Sequence, residues 1–187
     1  AAAFEASALE RSVLAEHGVR TETLVGDEIY QLEPHLARRF SHGLLFTDSG
    51  SVESPGELVR IYGRAVAERG GRFIEAAADR IFVTDEKAEI GGGGQTVTAR
   101  FVVLAAGARS DRLARTLGYC FPLAAERGYH RHYRLAEGVE LRRPVYDAAG
   151  GYVMSPMNGA VRVLSGVELA RPDDPPHYEQ IKTVAAD

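Results

Sequence analysis

Four bulky apolar residues run without alternation into three small ones at Phe101–Gly107 (FVVLAAG). An uninterrupted apolar run of this kind is typical of a strand buried on both faces, as in the parallel core of an α/β sheet. A helix start follows at Ser110, and small residues at the carboxyl end of a buried strand let a ligand approach closely. The stretch therefore predicts an α/β sheet with a ligand at this strand end. Tight packing of strand against helix would explain the small residues equally well.

The overall composition is that of an ordinary globular protein. Of the 187 residues, 45% are hydrophobic and 26% are charged, which allows one large domain or two small ones. The formal charge of -4 argues against nucleic acid as a partner, because no net basic field would gather phosphate. The single cysteine, Cys120, excludes an internal disulfide. No apolar run is long enough for a membrane span. We therefore expect a cytoplasmic chain without a nucleic-acid partner or a membrane segment.

Helices are predicted at three places in the first part of the chain. Apolar residues at helical spacing predict a helix over residues 3–17, and a short helix follows at Asp27–Leu32. A third helix has Ser54 as its cap and Pro55 at its first helical position. Before it, Gly43–Phe46 predicts a short strand.

An antiparallel meander is predicted after a strand at Phe73–Ala78. Short strands at Ile81–Val83, Ala88–Ile90 and Thr96–Leu104 are separated by turns, and the last of them runs into the apolar stretch described above. The glycines Gly91–Gly94 join the last two strands. Such a loop can cradle phosphate, but no helix start or lysine follows it, so a hairpin tip is predicted.

Residues 127–164 predict a second, mostly antiparallel sheet. Its strand candidates are separated by turn sequences, of which Asn158-Gly159 is a strong hairpin signal. A final helix is predicted to begin at Pro175. The expected fold class is therefore α/β joined to α+β. The strand candidates of the second sheet are Tyr129–Leu135, Arg143–Tyr146, Gly151–Met154 and Ala160–Val167.

Polar residues in this second sheet could carry chemistry. His130 and His132 lie two apart and face one side of a strand, but no cluster supplies further ligands, so we predict no metal site. Tyr146 and Tyr152 could border a pocket, although ordinary sheet packing explains them nearly as well. The local arginines could bind a carboxylate, or they could form a solvated face among glutamates. These arginines are Arg127, Arg131, Arg134, Arg142 and Arg143.

A family resemblance rests on short motifs that follow one another along nearly the whole chain. They are Phe46–Pro55 (FTDSGSVESP) before a helix, Phe101–Ser110 (FVVLAAGARS), Pro122–Tyr129 (PLAAERGY), Gly151–Pro156 (GYVMSP) and Val161–Glu168 (VRVLSGVE). With these motifs the chain resembles the amine-oxidising flavoprotein family that includes D-amino-acid oxidase, D-amino-acid dehydrogenase, glycine oxidase and sarcosine oxidase.

The resemblance implies part of an FAD-binding α/β domain with a meander, and a mostly antiparallel substrate-domain sheet. It implies oxidation of a D-amino acid or a related small-molecule amine by hydride transfer to the flavin, with no catalytic side chain among the matched residues. The implied cofactor-binding residues are Ala105, Ala106 and Gly107 at the FAD and Ala78 at its adenine side. The implied substrate-binding residues are Tyr152 at the substrate carboxylate and Met154 near the pocket wall.

The resemblance also divides the chain into three parts. Residues 1–42 would form a helical part of the substrate domain, and residues 43–120 a partial FAD-binding domain. Residues 121–187 would form the antiparallel substrate-binding domain.

The chain also departs from the family pattern. Members begin with a strand and a glycine-rich turn that binds the FAD pyrophosphate, and this start is absent here. They end with a further glycine-rich segment and commonly a carboxylate-binding Arg, which the resemblance places beyond the last residue of this chain. The position of Arg109 is commonly Trp. We therefore expect a central fragment of a cytoplasmic or membrane-peripheral dehydrogenase or oxidase. By itself this fragment is expected to be colourless and inactive, and to self-associate through exposed apolar surface. The alternative is a non-catalytic α/β module that binds a carboxylate ligand or a protein partner.

Overall fold

The chain folds into helices and short strands arranged in two units. The computed structural model describes the backbone of residues 2–184 and the side chains of residues 4–179 and 181–184. The helices are α1 (Ala2–Ala6), α2 (Ala8–Glu16), α3 (Asp27–Leu32), α4 (Pro55–Glu68), α5 (Ser110–Arg115) and α6 (Glu179–Val184). The strands are β1 (Thr21–Val25), β2 (His42–Phe46), β3 (Arg80–Val83), β4 (Ala88–Gly92), β5 (Gln95–Ala99), β6 (Glu126–Tyr133), β7 (Val145–Asp147), β8 (Tyr152–Met157) and β9 (Ala160–Leu169).

Contacts within the chain define the two units. The first unit holds the residues up to Arg60, then Tyr129–Gly166, and the residues from Tyr178 onward. The second unit holds Ile61–Gly128 and Val167–His177. The predicted division of the chain into residues 1–42, 43–120 and 121–187 stays a prediction. Residue 1 of the first part and residues 185–187 of the last part lie outside the described residues.

The first unit contains an antiparallel strand pair beside a short helix. Strand β1 pairs with β2 from Thr21 opposite Phe46 to Val25 opposite His42. Helix α3, predicted at these residues, follows β1 and buries Ile29 and Tyr30. The Tyr30 hydroxyl hydrogen-bonds the backbone N–H and carbonyl of Phe40 at 2.8 and 2.9 Å. This ties the helix to the loop that precedes β2.

A four-stranded sheet in the order β6-β9-β8-β7 carries most of the remaining strands. Strands β7 and β8 pair antiparallel, as do β8 and β9. The Asn158-Gly159 turn is confirmed, because Met157 lies opposite Ala160 and leaves these two residues as the loop. Together with the meander described next, this sheet confirms the predicted fold class.

The second unit is built on the predicted meander, with strand order β3-β4-β5. Gly93 and Gly94 connect β4 to β5 with φ of 57° and 78°, the left-handed values of a tight two-residue hairpin turn. The glycine run is therefore a hairpin tip, as predicted. Behind the meander, Thr116 accepts a hydrogen bond from Ile81 N at 3.1 Å and donates to Leu113 O at 2.7 Å. These bonds join the end of α5 to β3 around buried Ile81, Leu113 and Ala114.

Gly92 allows a close approach of two backbone segments in this unit. A Cβ built at Gly92 would lie 2.9 Å from Ala78 Cα and 2.7 Å from the carbonyl carbon of Ala77. The neighbouring Gly91 accepts a hydrogen bond from Asp79 N at 2.9 Å. The segment before β3 is thus held directly against the end of β4, where no side chain would fit.

The prediction of a buried strand at Phe101–Leu104 is wrong. Strand β5 ends at Ala99, and residues 101–106 form no strand. Phe101 is 79% exposed and Val103 is 87% exposed. A strand buried on both faces needs a paired strand on each edge and cover on each face. No segment of the described residues supplies them.

Other sequence predictions also differ from the structure. Residues 73–78 do not form the predicted strand Phe73–Ala78, because no described segment pairs with them continuously. The helix predicted over residues 3–17 is interrupted at Ser7, whose hydroxyl donates to Phe4 O at 2.9 Å. The last helix begins at Glu179 rather than Pro175. Strand β1 was not predicted, although its β-branched residues Thr21, Thr23 and Val25 are typical of a strand.

No helix among residues 2–184 combines the length and the apolar character that crossing a membrane requires.

Substituting Gly92 with Ala should destabilise the protein by about 2 kcal/mol, because the added methyl group overlaps the Ala77–Ala78 backbone. Urea unfolding measures the change. Gly128→Ala is the matched control, since Gly128 is also a strand glycine but has open space around its Cβ position. The control should change the free energy of unfolding by less than about 0.5 kcal/mol. Equal effects of the two substitutions would contradict the close approach.

Candidate functional site

Tyr152, a predicted substrate-binding residue, lies in a polar cluster of the first unit. Its hydroxyl oxygen accepts a hydrogen bond from Nη2 of Arg39, and the same nitrogen donates to Oδ2 of Asp147 at 2.7 Å. We call these residues the Arg39–Asp147–Tyr152 cluster. Asp147 and Tyr152 lie opposite each other on β7 and β8, so the hairpin fixes their separation. Arg39 comes from the loop before β2.

Asp147 is the buried anchor of the cluster. Its side chain is 5% exposed, and its Oδ1 accepts hydrogen bonds from Ala149 N and Gly150 N at 3.0 Å. The Arg39 guanidinium neutralises the other carboxylate oxygen, so the buried charge is both paired and hydrogen-bonded. Gly150 leaves room for the neighbouring phenol, because a Cβ there would lie 2.8 Å from Cδ1 of Tyr152. The β7–β8 turn thereby holds the aromatic ring in place.

The surroundings of Tyr152 keep its phenol protonated. Partial burial raises the pKa of the Tyr152 hydroxyl above its ordinary value, and the negative charge of Asp147 raises it further. The Arg39 guanidinium acts in the opposite direction but does not cancel these effects. The hydroxyl oxygen accepts a hydrogen bond from Arg39, and the phenol O–H is itself hydrogen-bonded to the Asp147 carboxylate, which also raises its pKa.

Met154 is two residues further along β8, on the same side of the strand as Tyr152. It lies between Val145 of β7 and Val163 of β9 and is half-buried. The structure thus brings the two predicted substrate-binding side chains to one side of one strand. Their roles stay predictions.

Several of the predicted carboxylate-binding arginines have partners within the protein. Arg127 donates to backbone carbonyls of Arg171, Asp174 and Pro175 at 2.8–3.0 Å. The Arg143 Nε lies 3.4 Å from Oε1 of buried Glu33, whose Oε2 accepts from the backbone amide of Arg142 at 3.0 Å. The Arg142 side chain itself donates to Glu140 Oε1 at 2.6 Å.

A cavity in the second unit borders Ala78, the residue predicted at the adenine side of the FAD. Its volume is about 260 Å³, below the range of roughly 300–1,000 Å³ for small-molecule sites. The close approach at Gly92 forms one wall. Small and apolar side chains dominate the lining, which consists of Ile74, Ala76, Ala77, Ala78, Ile90, Gly91, Gly92, Gln95 and Val97.

The predicted flavin-binding turn lies elsewhere in the second unit. Ala105, Ala106 and Gly107 are exposed and do not line the cavity at Ala78. Gly107 has φ of 56° and opens a single 3-10 turn, Gly107–Arg109, that leads into α5. A cofactor could approach this backbone closely, because the side chains there extend no further than a methyl group. The residues therefore fit the predicted role, which the structure does not test.

His130 and His132 contact each other with ring centroids 5.2 Å apart, as expected for residues two apart on β6. Among the described residues, no group of three or more His, Cys, Asp or Glu side chains could hold a metal ion.

The sequence analysis missed Arg39 and Asp147. The turn after Asp147 gave a signal, because Asp often accepts hydrogen bonds from the backbone of a following Gly-containing turn. Arg39 gave none. It lies 108 residues from Asp147 in sequence, and only the fold brings the two together.

The chain belongs to a family of FAD-dependent oxidoreductases, because the family model described as "FAD dependent oxidoreductase" matches residues 1–187. Among curated proteins, a D-amino-acid oxidase from Bradyrhizobium diazoefficiens is 29% identical over 167 residues. This match covers 87% of the present chain and 39% of the relative. The family assignment confirms the resemblance found in the motifs.

Solved structures share the fold of this chain. A glycine oxidase from Geobacillus kaustophilus aligns with a TM-score of 0.81 at 20% identity, and one from Bacillus cereus ATCC 14579 with 0.79 at 18%. An L-proline dehydrogenase from P. horikoshii aligns with 0.75 at 15%. Each match covers 97% of this chain, but 50% of each glycine oxidase and 51% of the dehydrogenase. The chain thus spans about half the length of these structures.

Replacing Asp147 with Ala should destabilise the protein by about 2–4 kcal/mol, because the change leaves the Ala149 and Gly150 amides without their acceptor and Arg39 without its counter-charge. Asp147→Asn should cost less, since the amide oxygen can still accept from the turn. Urea unfolding measures both. Asp27→Ala removes an exposed partner of Arg38 and should cost less than about 1 kcal/mol. A cost for Asp147→Ala no larger than this control would show that the buried carboxylate is dispensable.

Proposed function

We propose that this chain is part of an FAD-dependent enzyme that oxidises a D-amino acid or a related amine by hydride transfer to the flavin. The match of the whole chain to the FAD-dependent oxidoreductase family carries the proposal. The similarity to a D-amino-acid oxidase supports an amino acid as the substrate class. No observation favours the alternative of a non-catalytic binding module.

FAD, when bound, would supply the hydride acceptor. On the protein side, Ala105, Ala106 and Gly107 would let the cofactor lie against an exposed segment in which these three residues carry at most a methyl group. Ala78 would border the adenine in the apolar cavity beside Gly92. The volume of that cavity supports one ring system at this position rather than the entire dinucleotide.

The substrate-binding residues would lie on the sheet of the first unit. Tyr152 would lie at the substrate carboxylate, and Met154 would form an apolar wall beside it. Such contacts would orient the reacting carbon and exclude water from it. These contacts would supply binding and orientation, and the prediction of no catalytic side chain among the matched residues stays a prediction.

Three narrower predictions accompany this function. The chain alone is predicted to hold no FAD and to be inactive. Its location is predicted to be cytoplasmic, or membrane-peripheral in the complete enzyme. Self-association is predicted from exposed apolar residues, which in the second unit include Phe73, Phe101 and Val103. Sedimentation at several concentrations would test the last of these.

The full-length protein should purify with bound FAD, and its flavin absorbance should bleach when a D-amino acid is added without oxygen. A panel of D-amino acids, glycine and secondary amines would identify the substrate, and reoxidation by air or by an artificial acceptor would distinguish an oxidase from a dehydrogenase. A full-length protein without FAD, or one that no amine reduces, would contradict the proposed function.

Gly107→Ala should lower the FAD content of the full-length protein severalfold, because Ala is strained at φ of 56° and the turn would shift away from the cofactor. Gly138→Ala is the matched control, since it introduces the same strain at φ of 77° in a loop of the first unit. The ratio of flavin to protein absorbance reports the content. Equal FAD content in the two variants would argue against a cofactor at this turn.

A further inference from the structure

Arg109 connects the predicted flavin-binding turn to a distant segment of the second unit. Its Nη2 donates to Oδ1 of Asp173 at 2.7 Å, across 64 positions of sequence. Arg109 is the last residue of the 3-10 turn Gly107–Arg109, and Asp173 lies in the loop after β9. Both residues belong to the second unit. The ion pair therefore joins the turn to that loop.

The turn has little support from packing. All residues from Ala105 to Arg109 are exposed. Arg109 is the one residue of the five whose side chain can reach another segment, since the other four carry a methyl group or a hydrogen atom. An exposed segment with few packed side chains changes conformation easily unless a contact restrains it. The contact with Asp173 is such a restraint.

The loop that carries Asp173 is itself held in place. Half-buried Arg127 donates to the carbonyl oxygens of Arg171, Asp174 and Pro175 at 2.8–3.0 Å. The Asp174 carboxylate accepts from the amide of Arg171 at 2.8 Å and closes the loop. Asp173 therefore extends from a loop whose backbone is fixed at three carbonyl groups.

The groups around Asp173 keep its carboxyl ionised. The hydrogen bond from Arg109 lowers the pKa of the Asp173 carboxyl below its ordinary value, and the positive charges of Arg109 and Arg112 lower it further. At neutral pH the carboxylate is therefore a charged acceptor for Arg109, and charge-assisted hydrogen bonds are stronger than neutral ones.

We propose that Arg109 and Asp173 are positioning residues for FAD, because their ion pair holds residues 105–107 in the conformation that receives the cofactor. The proposal rests on the proposed function. A segment that is already ordered loses less conformational entropy when a ligand binds. The ion pair thus raises the affinity for FAD through the turn, without a contact of its own to the cofactor.

The test measures the Kd for FAD in the full-length protein after its flavin has been removed. Asp173→Asn and Arg109→Gln should each raise this Kd about 3- to 10-fold, as expected when a binding segment loses one restraint. The double variant should bind FAD no more weakly than either single variant, because both changes break the same ion pair. Arg109→Lys, which keeps the positive charge, should retain part of the affinity.

Glu89→Gln is the matched control. It removes a carboxylate of the same unit whose Oε1 also lies 2.7 Å from its partner, Nζ of Lys87. The control should change the Kd for FAD less than about 2-fold, since the loss of one exposed ion pair has little effect elsewhere in the protein.

A second measurement follows the turn without the cofactor. In the flavin-free full-length protein, Asp173→Asn should speed the amide hydrogen exchange of residues 105–109 severalfold, whereas Glu89→Gln should leave it unchanged. The urea midpoint should stay the same in all variants, because both partners of the Arg109–Asp173 pair are exposed and such pairs contribute little to global stability. An unchanged midpoint also shows that the variants fold.

Unchanged FAD affinity in both single variants, whatever their hydrogen exchange, would overturn the inference and leave the proposed function intact. A loss of affinity in Arg109→Gln that Asp173→Asn does not share would also overturn it, since Arg109 would then act without the ion pair. A protein whose FAD affinity depends on this pair but that oxidises no amine would overturn the proposed function alone. A wild-type protein that binds no FAD would overturn both.

Discussion

The Arg39–Asp147–Tyr152 cluster of the first unit depends on the hydrogen bonds and the ion pair of the buried Asp147 carboxylate. A charge with so little exposure is tolerated only when both oxygens have partners, and here two turn amides and Arg39 supply them. One side chain thereby fixes the β7–β8 turn, the direction of the Arg39 guanidinium and the surroundings of the Tyr152 hydroxyl. Asp147 therefore both stabilises the β7–β8 turn and sets the position of Arg39.

The second unit depends instead on a close backbone contact that only small residues allow. Gly92 lets the backbone of Ala77 and Ala78 lie against β4, and the alanines leave a small apolar cavity beside it. Nothing in that lining resembles the charged cluster of the first unit. In a flavoenzyme of the proposed kind, such an apolar cavity would suit a heterocycle.

Predictions from the sequence are confirmed where the structure of a short segment depends on the residues of that segment alone. The Asn158-Gly159 hairpin, the turn at Gly93-Gly94 and helix α4 beginning at Pro55 follow from local backbone preferences, and the structure has all of them. The reasoning failed at Phe101–Leu104, since burial of a strand depends on neighbours that the segment itself does not encode. The family prediction is nevertheless confirmed, because it rests on the order and identity of the motif residues and not on the secondary structure of each motif.

The family, the meander and the antiparallel sheet could be predicted from the sequence and are confirmed, whereas the roles of Ala78, Ala105–Gly107, Tyr152 and Met154 stay predictions. The contacts of Arg39 with Asp147 and Tyr152, and the cavity that Ala78 lines and Ala105–Gly107 do not, follow from the three-dimensional fold alone. The reason is physical: turns and helix starts are set by interactions between residues close in sequence. An ion pair between residues 39 and 147 exists only once the sheet has placed distant segments side by side.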